Sequence, residues 1–161
     1  MPRFVSQTRF GGSHHPTAEQ GNCVQAAIAS LLNIPLTEAF DAVAAYTAEE
    51  NGGRHWFHAL EQWARERGMR VWWDELALAG VMGLADVNSI DLPGDRHVVV
   101  ARGLDIVHDP NPRYRERHVV HTFPADDPCF IYFMPLDPAS LFTPAGDGAL
   151  PPDAHPNGVG A

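Results

Sequence analysis

The stretch Gln20-Gly21-Asn22-Cys23-Val24-Gln25-Ala26-Ala27-Ile28-Ala29-Ser30-Leu31-Leu32 reads as a loop that turns sharply into a helix. From Val24 onward the residues are small and apolar nearly all round, so this helix has to be covered on most sides. The rest of the chain must supply the cover. Gly21 allows a tight entry, and Asn22 suits the N-cap, where its side chain can accept from an orphan amide of the first turn. Cys23 then takes the first helical position. A thiol there meets the positive end of the helix dipole and unpaired amides, surroundings that favour the nucleophilic thiolate.

With 161 residues the chain can build one domain with a real core. Hydrophobic residues make up 45% and charged residues 19%, a globular balance. A formal charge of -9 argues against a nucleic acid bound through its phosphates. No apolar run approaches the roughly 20 residues a membrane span needs. Met1-Pro2-Arg3-Phe4 carries no apolar stretch behind its arginine, so no secretory signal is read there. Two cysteines do not make a disulfide framework, and a reducing, cytoplasmic setting is expected.

After an extended lead-in, helices are expected at 23–32, from Thr37-Glu38 to about Glu49, and at 54–67. Asn33-Ile34-Pro35 separates the first two. In the third, Trp56, Phe57, Leu60, Trp63 and Ala64 form a wide core-facing stripe, and Gly68 fits just past its end. Met69 to Trp73 is strand-like by composition. Residues 74–95 are ambiguous, with a short helix at Leu76 to Leu84 and a short strand at Val87 to Leu92 as the readings. A hairpin follows at Arg96 to Asp109, then two strands at 117–123 and 129–134. Domain 1–135 precedes a Pro/Gly-rich tail at 136–161. Helices first and antiparallel strands after predict an α+β fold with the helices packed on one sheet.

The hairpin supplies what a nucleophilic cysteine needs, a base and a group to orient it. A three-residue loop centred on Gly103 sets His97 directly opposite Asp109, on one face with Val99, Ala101, Asp105 and Val107. Cβ atoms across such a pair lie roughly 5 Å apart, within reach of an imidazole–carboxylate hydrogen bond. A one-residue slip in the loop would spoil the pairing.

Gly-Asn-Cys-x-x-Ala-x-x-Ala-Ser-Leu-Leu, followed about seventy residues later by His97-Val98-Val99-Val100 and then Val107-His108-Asp109-Pro110, resembles the papain-like cysteine peptidases. It looks closest to their compact bacteriocin-processing, double-glycine branch and to related short phage and bacterial proteins. The resemblance covers about residues 5–134. It implies a papain-like fold, a peptide or protein substrate, and no cofactor or metal. It also implies Cys23 as nucleophile, His97 as general acid/base and Asp109 as orienter. That family places a glutamine a few residues before the cysteine as an oxyanion donor. Here Thr17 stands six residues before it, and Gln20 and Gln7 are the candidates, with Gln7 preferred for its strand-like setting. Val24 also stands where the family often has glycine. The implied chemistry is acyl transfer through a thioester, serving a peptidase, amidase, deamidase, isopeptidase or transglutaminase-like enzyme alike.

Two rival readings are kept. One is a papain-like fold that binds without turnover, as an adaptor or inhibitor. The other is a metal-binding protein using His14-His15, His55-x-x-His58 or His118-x-x-His121 with cysteine. The plainer expectation makes His55 and His58 partly buried helix residues, His118 and His121 ordinary strand residues, and Cys129 a structural thiol. Trp56, Trp63, Trp72 and Trp73 are expected in the core, with one or two free to line a groove.

Overall fold

The computed structural model describes residues 4–10, 21–50, 52–117 and 119–137. Among these residues four α-helices and five strands follow in the order α1 (Cys23–Leu32), α2 (Ala42–Glu50), α3 (Trp56–Arg65), β1 (Met69–Asp74), β2 (Met82–Asn88), β3 (Arg96–Arg102), β4 (Asp105–His108), α4 (Pro112–Glu116) and β5 (Phe130–Pro135). The strands form one antiparallel sheet in the order β1-β5-β2-β3-β4. This is an α+β architecture. Among the described residues no single helix is long and apolar enough to cross a membrane.

α1 is covered as its composition requires. Ala26, Ala27, Ile28 and Ala29 are fully buried, the last three in one cluster with Val98 and Val100 of β3, Leu84 of β2 and Ile131 of β5. The α3 stripe enters the same core through Leu60 and Ala64, with Trp56, Phe57 and Trp63 partly buried. Ser30 is a polar residue buried inside α1. It accepts from Val5 N–H (2.7 Å) and donates to Val5 C=O (3.2 Å), which ties the N-terminal segment along the helix. The opposite face of the sheet buries Ala85, Val87, Val99, Ala101, Phe130 and Tyr132 beneath Leu78, Phe123 and their neighbours. There the Tyr132 hydroxyl accepts from Leu78 N–H at 2.8 Å.

Several expectations change. Asn22 does not cap α1; its Oδ1 accepts from the backbone amides of Thr8 (3.0 Å) and Arg9 (2.9 Å) instead. A single 3₁₀ turn occupies Leu36–Glu38, and α2 starts at Ala42, where Asp41 accepts from Ala44 N–H. No helix forms over Leu76 to Leu84, and the strand runs over Met82–Asn88 instead of Val87 to Leu92, hydrogen-bonded between β3 and β5. The described residues of 117–123 form no strand. Asn111 accepts from Arg113 N–H, Pro112 starts α4, and the chain then runs irregularly, pinned by Asn88 on Thr122. Trp72 and Trp73 lie on the edge strand β1, 40% and 50% exposed, and are not core residues. His55 and His58 are exposed too, His55 serving as the α3 N-cap through its Nδ1. Gln20, His14, His15, Thr17, His118 and tail residues 138–161 lie outside the described residues.

Candidate active site

Cys23 stands at the first position of α1 and His97 is the second residue of β3. Asp109 follows β4 directly. The hairpin that joins the last two differs from the expected one. Its loop has two residues, Gly103-Leu104, because Arg102 pairs with Asp105; Gly103 takes the positive φ of 61° that a two-residue loop asks of its first position. This one-residue slip alone would turn Asp109 to the wrong face. A bulge then adds a second slip: Ala101 pairs with Ile106 but Val100 pairs with His108. Two slips restore the original face. Asp109 thus falls opposite Val99, one diagonal step from His97, instead of opposite His97 itself.

From that diagonal position His97 Nε2–H donates to Asp109 Oδ1 at 2.7 Å, with both side chains almost fully buried. The bond commits Nε2 to the carboxylate and leaves Nδ1 as the nitrogen to serve the thiol. Cys23 is the second hydrogen-bonding partner that bears on the ring. Burial tends to strip the imidazolium of its proton, but hydrogen bonds to Asp109 and Cys23 outweigh it and push the His97 pKa up to about 9. Asp109 is opposed by burial as well, yet donors from His121 and His97 and the Asn111 amide hold it below the usual carboxylate range. The Asn111 N–H reaches Oδ1 at 2.7 Å, a local turn that fixes the carboxylate at the end of β4.

Cys23 and His97 open into a cleft of about 210 Å³, with Gln7, Phe10, Gly21, Asn111, Arg113 and Tyr114 among its walls. Gln7 is delivered there by three tethers. Its backbone N–H donates to Pro110 C=O (2.9 Å), Asn22 holds Thr8 and Arg9 behind it, and Ser30 holds Val5 ahead of it. The Gln7 side chain is buried. Its Nε2 makes one long bond to Arg9 C=O (3.4 Å) and its Oε1 has no partner among the described residues. Of the two glutamines, then, Gln7 lines the cleft together with Cys23, while Gln20 lies outside the described residues.

Sequence reasoning missed His121. It sits in the irregular segment after α4 and donates from Nε2 to Asp109 Oδ2 at 2.7 Å. Nothing in local spacing marks it, since its partner is twelve residues earlier with α4 between them. Its ring stacks near His97 (5.9 Å between centroids), and Tyr114 stands edge-on to both histidines (5.4 and 5.8 Å). Tyr114 is itself buried, fixed by its hydroxyl accepting from Asp91 N–H.

Cys23 and Cys129 are both free thiols. Among the described residues no group of three or more His, Cys, Asp or Glu side chains is arranged to hold a metal ion. No protein-family model, curated protein or solved structure matches the chain.

Proposed function

We propose that the chain is a cysteine-dependent acyl-transfer enzyme of papain-like architecture, acting on an amide bond of a peptide or protein. The observation that carries this reading is the division of labour on His97: one nitrogen is bonded to a buried carboxylate, and the ring is engaged by a helix-opening thiol. That is the nucleophile, base and orienter relation that cysteine catalysis requires.

In this scheme the Cys23 thiolate attacks the carbonyl carbon of the substrate, and the carbonyl oxygen takes up the negative charge. The Cys23 backbone amide, exposed by the helix start, and the Gln7 side-chain amide are the donors for that oxygen. Gln7 serves with its NH₂ turned to the cleft. A single 3.4 Å bond and a partnerless oxygen leave the amide little to hold it in the other sense. The C–N bond then breaks, the leaving amine takes the His97 proton, and a thioester remains on Cys23. Water or a second amine attacks the thioester carbonyl and gives its proton to His97, and the C–S bond breaks to release the acyl product and regenerate the Cys23 thiolate beside protonated His97.

Iodoacetamide at neutral pH tests the reading directly. Cys23 is expected to be alkylated far faster than Cys129, with Cys23→Ala folded and inactive on amide substrates. Equal, slow labelling of both thiols would refute it.

A further inference from the structure

His121 is a buried imidazole that the acyl-transfer scheme leaves unused. We propose that His121 is a positioning residue, which grips Asp109 Oδ2 so that Oδ1 stays aimed at His97 Nε2. The proposal rests on the reading of Cys23 and His97 as nucleophile and acid/base.

The bonding around Asp109 carries it. A carboxylate can turn about its Cβ–Cγ bond, and an orienter that turns no longer orients. Oδ1 takes the donors of His97 and Asn111, both at 2.7 Å, and Oδ2 takes His121 Nε2–H at 2.7 Å. With both oxygens bound, rotation breaks bonds on each side. The His121 side chain is only 4% exposed, and the edge-on Tyr114 ring packs against it and His97. Water is therefore poorly placed to substitute for a lost donor. The other nitrogen sharpens the assignment. His121 Nδ1 is buried and has no partner among the described residues. An imidazole kept to tie segments together would use both nitrogens, because a buried acceptor left unmet is costly. Here, among the described residues, the polar bond of the ring goes to Asp109.

The charged and titratable groups that bear on His97 are Cys23 from α1, Asp86 from β2, Tyr114 from α4, and the Asp109–His121 pair. None of the others replaces His121 on Oδ2, so its loss falls on Asp109 and through it on His97.

The test compares His121→Gln, which carries an amide N–H to about the place of Nε2, with His121→Phe, which keeps the ring and deletes the donor. Iodoacetamide alkylation of Cys23 in the full-length protein is followed from pH 5 to 10, with thermal unfolding alongside. Positioning predicts that Gln keeps the wild-type profile. It predicts that Phe lowers the neutral-pH rate about tenfold and moves the alkaline limb down by about one pH unit, since His97 holds its proton less firmly. A packing role predicts the reverse order, with Phe like wild type and Gln impaired, and would overturn the proposal. Should Phe fail to fold, the His97 Nε2–H proton resonance decides between wild type and Gln: retention in Gln supports positioning, and its loss overturns it. Wild-type Cys23 reacting no faster than Cys129 would overturn the acyl-transfer reading and this inference together. Fast wild-type alkylation with a Phe profile unchanged would overturn this inference alone.

Discussion

Cys23 and Cys129 are both free, both half-buried, and both packed against the helix-facing core. Exposure does not distinguish them, but their neighbours do. Cys23 opens a helix and meets an imidazole that Asp109 holds charged. Cys129 lies just ahead of β5 with its carbonyl bonded to Asp86 N–H, so it sits among carboxylates. Burial, then Asp86 and Asp127, push the Cys129 thiol up to about 12 against the weaker pull of Arg96. Burial and negative charge thus work together against the Cys129 thiolate, whereas Cys23 has a histidine for a neighbour.

The largest effect should come from removing what makes the two thiols unlike. His97→Ala is expected to lower amide turnover about 10²–10⁴-fold, the usual range for a general acid/base. Alkylation of Cys23 should fall toward that of Cys129. Competitive labelling followed by mass spectrometry measures the ratio of the two rates, and a ratio that stays high without His97 would show that the thiol owes its reactivity to the helix start alone.

Much of this contrast was legible in the sequence, and the parts that were not have separate physical causes. The boundaries of α1 follow from Asn33 and Pro35 on one side and Gly21-Asn22 on the other, and the structure ends the helix with Asn33 in the left-handed region (φ 54°). The joining of His97 and Asp109 was legible but the register was not. Loop length and a bulge are decided by sheet packing, and only their cancellation kept the pair on one face. β2 was hidden in the ambiguous stretch 74–95, which includes Gly83. In the sheet it is a packing necessity, since a Cβ there would come within 2.8 Å of Ile131 C=O and the Tyr132 ring. Asn22 fooled cap reasoning because its oxygen had better donors fourteen residues upstream. His121 depends on a contact across α4 that no periodicity encodes.

A smaller effect should appear in the pH dependence of stability. Folding raises His97 from its ordinary 6.5 to about 9. A raised histidine contributes stability that is full below about pH 6.5 and is lost as pH rises through about 9. The shift corresponds to roughly 3 kcal/mol at most. Urea midpoints of wild type and His97→Ala should therefore lie furthest apart near pH 6 and draw together above pH 9. Asp109, shifted the other way, adds stability above the ordinary carboxylate pKa that is lost toward strongly acidic pH. A gap between the two proteins that widens with rising pH would contradict the His97 assignment.

The smallest effect belongs to the other thiol. Asp86 is itself held up at about 6, chiefly by burial, with Arg96 and His97 pulling it back. Above that pH it is charged and suppresses the Cys129 thiolate; below it the charge is gone. Asp86→Asn should therefore raise the alkylation rate of Cys129 only above about pH 6, and only about three- to tenfold. Desolvation is the larger part of the Cys129 shift and survives the substitution, and a thiolate of lower pKa is also a weaker nucleophile. Cys23 should respond much less, since the coupling to His97 is the weakest of the influences on Asp86, and the charge of His97 is held up by the hydrogen bonds of Asp109 and Cys23. Parallel labelling of both thiols in wild type and Asp86→Asn across pH 5 to 9 reads this out. A Cys129 rate unchanged above pH 6 would mean that burial alone silences this thiol, and the contrast between the two sites would then rest on solvent access as much as on charge.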